Sequence, residues 1–442
     1  MKKENIQSFP QMTSFFIPLA LQAISQSFTY PLVAMVAARG EGSYMNIAAL
    51  AQSWAVTFFI FNFGAGLIAT GMVFIKNRVS YIRYKQANLI FMAITFLFHL
   101  FCCVPAVSHV IFGFFMGLDP AMENRTYIAF VLSLPLSIFF NIRNPHTALL
   151  FNEQKTGVAY YATLTRVIMT LTIAYLFVCI GLVGLLWAMI AQTIPVITEA
   201  FLMKYFARES LKRIMQIEGT APKLPEMMLF TMSFSVGKLF ICFSGYIIGA
   251  FAARAPQQEI MLPVYYAVLG IVNPVSFAAA RMQELVISFG KERGKNRNLL
   301  LFMILLGIIL GIIPLLFLCP PLNKWYYTVL QRLPADSMRH IKLTGIFLGG
   351  LPLFVAFRAY AEGWAAHHKK PVSVVAGQGV YLGMVVTAAF FALNSGLPGS
   401  LIGPVALYAG NIFSMIVISL SLNIETKSEY PVSETSTPYS LK

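Results

Sequence analysis

Five cationic side chains, Arg143, Arg166, Lys238, Arg281 and Arg358, stand inside stretches otherwise made of Leu, Ile, Val, Phe and Ala. An ionised side chain in apolar surroundings of membrane depth costs roughly 2.5 to 3.5 kcal/mol, so it is normally turned toward a partner or a wet cavity. Two of the five have a carboxylate at helical spacing: Arg281 with Glu284 at i+3, and Arg358 with Glu362 at i+4. Such neighbours share a helix face, and either glutamate could release its arginine or take up a proton. Arg143, Arg166 and Lys238 are expected to have no acid at their depth, because Glu199 is read as lying near a helix end and Asp119 and Asp336 fall in loops. About three excess positive charges at one depth suit a multivalent anion, since guanidinium and ammonium groups donate charge-assisted hydrogen bonds to carboxylate and phosphate.

Neutral polar residues accompany them. Asn141, Asn144 and His146 fall in the same segment as Arg143, Gln22 and Gln26 in the first apolar run, and Asn273 before Pro274 in the eighth. The bland reading of such residues is glue between helices. The candidate substrate-binding set is therefore Arg143, Arg166, Lys238, Arg281, Arg358, Asn144, His146, Gln22 and Gln26, with Glu284 and Glu362 as charge-pair or coupling residues. No buried acidic dyad, Ser/His arrangement or metal-ligand spacing is present; His367 and His368 sit beside lysines, and the five cysteines lie in apolar runs. An enzyme, a metal and a cofactor are accordingly not expected.

The elements that position these residues follow from composition. In 442 residues, 58% are hydrophobic and 11% charged, and the mean hydropathy is +0.71. A membrane-spanning helix needs about 20 mostly apolar residues. Twelve runs qualify, near 14–39, 46–75, 87–116, 127–151, 156–180, 183–206, 226–253, 261–290, 298–320, 341–366, 371–394 and 399–423. Measured from loop residues such as Glu153, Lys155, Glu226, Lys291 and Lys369, each of the five cations lies ten to twelve residues inward, which is about 16 Å at 1.5 Å per residue and hence the midplane. Snorkelling by all five from that depth is improbable on reach alone.

A net charge of +15 would suit nucleic acid, but the basic residues cluster in short loops on one side. Lys76, Arg78, Arg83 and Lys85 follow the second run, Arg208, Lys212, Arg213 and Lys223 the sixth, and Lys291, Arg293, Lys295 and Arg297 the eighth. This is a topology signal that places both termini in the cytoplasm. Nucleic acid is not an expected partner. The expected organisation is a cytoplasmic N-terminus (1–11), an N-lobe (12–206), a cytoplasmic linker (207–224), a C-lobe (225–423) and a disordered cytoplasmic tail (424–442).

The halves repeat. An offset of about 210 to 217 residues lays "QANLIFM" from Gln86 on "NRNLLLFM" from Asn296, "LPLSIFFNIR" from Leu134 on "LPLFVAFRAY" from Leu351, and "GLVG" from Gly181 on "GLPG" from Gly396. Six helices per half make the repeats parallel.

Six plus six helices, the "GLVG"/"GLPG" openings of the sixth and twelfth, and the basic loops resemble the multidrug/oligosaccharidyl-lipid/polysaccharide (MOP) exporter superfamily and its MATE-like fold. Within it, "RAYAEGWAAHHKK" (Arg358–Lys370) and, more weakly, "IPLALQAISQSF" from Ile17 are similar to the progressive ankylosis (ANK) protein family. That resemblance implies export of pyrophosphate, ATP or citrate, and carries over to Arg358, Gly363, Trp364, Lys369 and Lys370. Acids of that family's first helix are Gln and Ser here. The expected fold class is thus an all-α, twelve-helix, two-lobed integral membrane protein of the bacterial inner membrane. It would export a multivalent organic or phosphate-containing anion by alternating access, as a monomer among membrane lipids, with a proton or sodium as coupling ion. A cation-coupled multidrug exporter and a flippase for lipid-linked oligosaccharide diphosphate are the alternatives.

Overall fold

The computed structural model describes residues 9–41, 43–252, 254–290, 297–331 and 333–428. Twelve of its helices are long and apolar enough to cross a membrane: α1 (Phe9–Ala38), α2 (Met45–Phe74), α3 (Arg78–Cys102), α4 (Pro120–Asn152), α5 (Thr156–Cys179), α6 (Leu185–Phe206), α7 (Leu224–Ala252), α8 (Ile260–Phe289), α9 (Arg297–Leu316), α10 (Met338–His367), α11 (Pro371–Asn394) and α12 (Gly399–Leu422). There is no strand among the described residues. α1 to α6 pack mainly with one another, as do α7 to α12, giving two lobes.

Local chemistry moves several boundaries from their expected places. α3 starts at Arg78, not near 87, because Asn77 and Ser80 form a reciprocal capping box there, so Arg78, Arg83 and Lys85 ride on the first turns of a helix. It stops at Cys102, and Pro105 opens a separate short apolar helix (Pro105–Phe115) where a continuous span to 116 was expected. α4 begins at Pro120 under an Asp119 cap. The linker contains a helix, Arg208–Gln216. The last helix runs on to Ser428, so the first residues of the expected disordered tail are helical, and 429–442 lie outside the described residues. Lys291, Arg293 and Lys295 also lie outside them.

Backbone geometry repeats between the halves. Gly181 and Gly396 take φ of +77° and +73°, and Gln154 and Lys369 both take φ of +57°; each pair differs by 215 positions. Left-handed conformations are uncommon for Gln or Lys, so finding one in the same place in both α4–α5 and α10–α11 turns argues for a true duplication more strongly than apolar similarity does. The glycines make the same turn before α6 and α12 at little cost.

The lobes meet chiefly on the side where α1 begins. There Phe15 packs edge-on to Phe289 (5.4 Å between ring centroids), Phe74 to Phe230 (5.2 Å) and Phe9 to Phe302 (5.8 Å). Thr70 and Thr231 hydroxyls are 2.7 Å apart. α2 and α7 approach so closely that a Cβ on Gly66 would lie 2.4 Å from the Thr231 carbonyl oxygen. At the other end the N-lobe keeps its own apolar clusters, around Val33, Val36 and Leu50 and around Ile60, Phe112 and Phe130, separate from the large core that joins the lobes. The lobes are thus sealed on the terminal side, and they also touch near mid-depth, where Phe59 packs on Phe243 (5.4 Å between ring centroids) and Asn62 Nδ2 donates to Cys242 Sγ at 3.0 Å.

Among the described residues, four spanning helices break within the membrane span. α2 passes through a 3-10 turn at Asn62–Gly64, α4 is interrupted at Ser133 and at Arg143, α8 at Arg281 and α10 at Gly350. Irregular backbone at membrane depth is tolerated where protein or a wet cavity satisfies it. Two of these five breaks, at Arg143 and Arg281, carry an arginine of the predicted set.

Candidate functional site: three charge groups around the lobe interface

In the N-lobe, Glu199 of α6 is fully buried and its Oε2 accepts from Arg143 Nη1 and Arg166 Nη1, each at 2.9 Å. Its Oε1 accepts from the Thr163 hydroxyl at 2.7 Å, and Gln22 Nε2 donates to Thr163 at 2.8 Å. This corrects the expectation that Arg143 and Arg166 lack an acid at their depth. α5 and α6 run antiparallel and side chains lean toward their own helix N-terminus, so Arg166 and Glu199 lean toward each other and close the gap that residue counting implies.

In the C-lobe, Arg358 Nη1 is 2.6 Å from Glu362 Oε1, and Arg358 Nε donates to Asn411 Oδ1 at 2.8 Å. Gln378 also donates to Glu362, and the Tyr381 ring lies under the Arg358 guanidinium. Lys238 Nζ of α7 stands 3.8 Å from Glu362 Oε2, so it too has an acid, though a more distant one. In the third group Arg281 Nη1 is 3.0 Å from Glu284 Oε1 on α8.

Five cations thus face three carboxylates, leaving two excess positive charges where about three were expected. Each lobe's group has two cations on one glutamate, and the Arg281–Glu284 pair is balanced.

Solvent reach separates the five. The side chains of Arg166 and Arg358 are 5% and 6% exposed, whereas those of Lys238, Arg281 and Arg143 are 30%, 25% and 15% exposed. A cavity of about 350 Å³ lies between the lobes, and Lys238, Arg281 and Glu284 line it from the C-lobe, Gln26, Tyr30 and Asn62 from the N-lobe. Tyr30 also borders the small space beside Arg166, and so stands between the cavity and the N-lobe charge group.

The predicted set is therefore divided. Lys238, Arg281, Glu284 and Gln26 share the cavity. Gln22, Arg166, Arg358 and Glu362 act within the lobes as a hydrogen-bonded framework. Arg143 sits at the edge of the N-lobe group, over the Phe140 ring. Asn144 is buried against Asn141, its Nδ2 donating to Asn141 Oδ1 at 3.3 Å, and His146 lines a different cavity with Lys85 and Lys204. Gly363 and Trp364 serve packing: a Cβ on Gly363 would meet Val286, and Trp364 is fully buried against Gly290. Lys369 lies on the terminal side, its Nζ over the Phe74 ring of the other lobe.

Glu199, Thr163, Gln378 and Asn411 were missed as site-forming residues by sequence reasoning. Only Glu199 had a legible signal, being an acid in an apolar helix.

This two-lobed, twelve-helix fold is shared with solved MATE transporters. The chain superposes over 95% of its length on an outward-facing multidrug resistance MATE family transporter of the MOP superfamily (16% identity, TM-score 0.73, 96% of that chain). It is similar over 95% to a MATE transporter in the bent conformation (14%, TM-score 0.74, 95% of that chain). A MOP superfamily transporter from Pyrococcus furiosus, whose binding pocket of reverse polarity suggests a different function, matches with 14% identity and a TM-score of 0.72 over 95% of this chain and 96% of that one. No protein-family model matches the sequence, and no curated protein matches it; the comparisons do not show a special closeness to the ANK family.

Proposed function

We propose that the chain is a secondary-active membrane exporter working by alternating access, and that its cargo is a multivalent organic or phosphate-containing anion. The observation that carries the cargo assignment is the interlobe cavity: two of the most accessible buried cations, Lys238 and Arg281, point into it against one carboxylate, Glu284. A pyrophosphate-, citrate- or nucleotide-like anion would take Arg281 from Glu284 and Lys238 from its long contact with Glu362. Arg143, at the rim of the N-lobe group, supplies the third donor. Rocking of the lobes about the terminal-side seal would then expose the cavity to each side in turn. With the basic loops facing the cytoplasm of a bacterial cell, the sealed side is cytoplasmic and the cavity faces outward.

A cation-coupled multidrug exporter is the second reading. Its support is the multidrug MATE neighbour together with the buried glutamates Glu199 and Glu362, which would serve as proton or sodium sites.

Purified protein in liposomes discriminates the two. Wild type should move pyrophosphate or citrate, and Lys238→Gln/Arg281→Gln should lose on the order of tenfold or more in rate, the worth of losing charge-assisted hydrogen bonds in a desolvated site. Transport of a lipophilic cation that survives this double substitution, with no anion flux, would overturn the anion assignment.

A further inference from the structure

A second cavity lies on the flank of the N-lobe, where α3, α4, α6 and the linker helix Arg208–Gln216 meet. It encloses about 480 Å³; its basic contributors are Lys85, Lys204 and His146, and its walls include Leu89, Met92, Ile142 and Leu211. Past Lys204 and Leu211 it runs into a groove of about 690 Å³ along the linker helix, which adds Arg208 and Lys212. No acidic residue lines either space. Among the described residues, Lys85, Lys204 and Lys212 have no carboxylate within ion-pair distance, whereas their neighbour Arg213 is held by Glu153 at 2.5 Å.

Depth and shape are also informative. Lys85 is seven residues into α3 and Lys204 two residues from the end of α6, which puts both near the terminal-side edge of the apolar zone. Leu89, Phe201 and Tyr205 beside them are 58%, 61% and 56% exposed, so the groove continues into an apolar outer face. Unpaired cations above exposed apolar side chains, roofed by a helix with Arg208 and Lys212 one turn apart, match a molecule with a negative head and a hydrocarbon body.

We propose that this groove binds an anionic phospholipid of the terminal-side leaflet. Lys85 and Lys204 hold the headgroup phosphate, Arg208 and Lys212 stand above it, and the acyl chains lie along Leu89 and Phe201. A soluble multivalent anion would use the same cations but leave the apolar walls wet. The inference rests on the helices crossing a bilayer and is independent of what the central cavity carries. It also has a structural consequence, because Ile142 and His146 flank Arg143 at the break in α4: the lipid would brace the joint that presents Arg143 to Glu199.

Native mass spectrometry of the purified chain, titrated with dioleoylphosphatidylglycerol and with dioleoylphosphatidylcholine, tests this directly. Wild type should retain phosphatidylglycerol preferentially. Lys85→Gln or Lys204→Gln should weaken that preference about fivefold and the pair about twentyfold, as expected for juxtamembrane cations. Leu211→Trp, which fills the throat shared by the two spaces without altering charge, should lower retention as well and carries the test if the lysine pair fails to fold. Arg339→Gln/Lys342→Gln at the opposite end of the molecule should change nothing. Equal retention of both lipids by wild type, full retention by the lysine pair and by Leu211→Trp, or displacement of phosphatidylglycerol by excess inorganic phosphate would overturn the proposal.

Discussion

Glu199→Gln removes the one carboxylate that serves two arginines. Each Arg–Glu199 contact is 2.9 Å and the carboxylate has no exposure. At an effective dielectric of about 20, a contact of that length corresponds to about 6 kcal/mol of attraction before desolvation is subtracted. Breaking a buried pair by deleting one partner costs about 3 to 5 kcal/mol, because the other charge stays buried without compensation. Arg166 is the residue that suffers, being only 5% exposed, whereas Arg143 is 15% exposed and keeps its contact with the Phe140 ring. We therefore expect Glu199→Gln to be destabilised by about 3 to 5 kcal/mol, and Arg166→Gln/Glu199→Gln to recover much of that loss. Denaturant unfolding in mild detergent, followed by tryptophan fluorescence, measures both. If the single variant were as stable as wild type, or the double variant no better than the single, the shared-carboxylate account would be wrong. Transport adds a second reading from the same variants: an anion exporter should tolerate the added positive charge in binding, whereas a carrier that loads its coupling proton on Glu199 should stop.

Glu362→Gln should be worse than Arg358→Gln/Glu362→Gln for the same reason, since both variants lose the contacts of Glu362 with Lys238 and Gln378 but only the single one strands Arg358; equal unfolding midpoints for the two would refute the pairing. Gly66→Ala should cost about 1 to 3 kcal/mol and raise the labelling rate of a cysteine placed at Thr70, since the new methyl would push α7 away from α2 at the terminal-side seal; unchanged labelling would show that the seal lies elsewhere. At the linker, burial alone would push the Glu153 carboxyl up, but Arg213, Lys155 and Ser210 donate to it and hold it down at about 2 against an ordinary 4.5. A depressed carboxyl contributes stability that is complete above its unfolded value and drains away as pH falls toward the folded one. Hydrogen exchange should accordingly show the helix Arg208–Gln216 protected above about pH 5 and released toward about pH 2; release near neutrality would contradict this.

Much of the architecture was legible in the chain itself. Twelve apolar runs of spanning length are a one-dimensional property, fixed by bilayer thickness and helix rise, and the offset repeat needs only comparison of the chain with itself. The helical pairs Arg281–Glu284 and Arg358–Glu362 are equally local, since three- and four-residue spacing alone puts their side chains on one face. Helix ends were less legible: the Asn77–Ser80 box starts α3 nine residues before its apolar core, and a hydropathy window does not register a cap. What only the tertiary structure decided is which helices face each other. Glu199 lies thirty-three residues from Arg166 and fifty-six from Arg143, and nothing in either segment says that α4, α5 and α6 turn those faces to a common point. The same holds for Lys85, His146 and Lys204, which lie in three separate segments of the chain and are gathered into one groove by the packing of three helices. Depth is set along a helix and can be counted; azimuth is set by neighbours, through close packing of side chains that the one-dimensional pattern of an almost uniformly apolar helix does not encode.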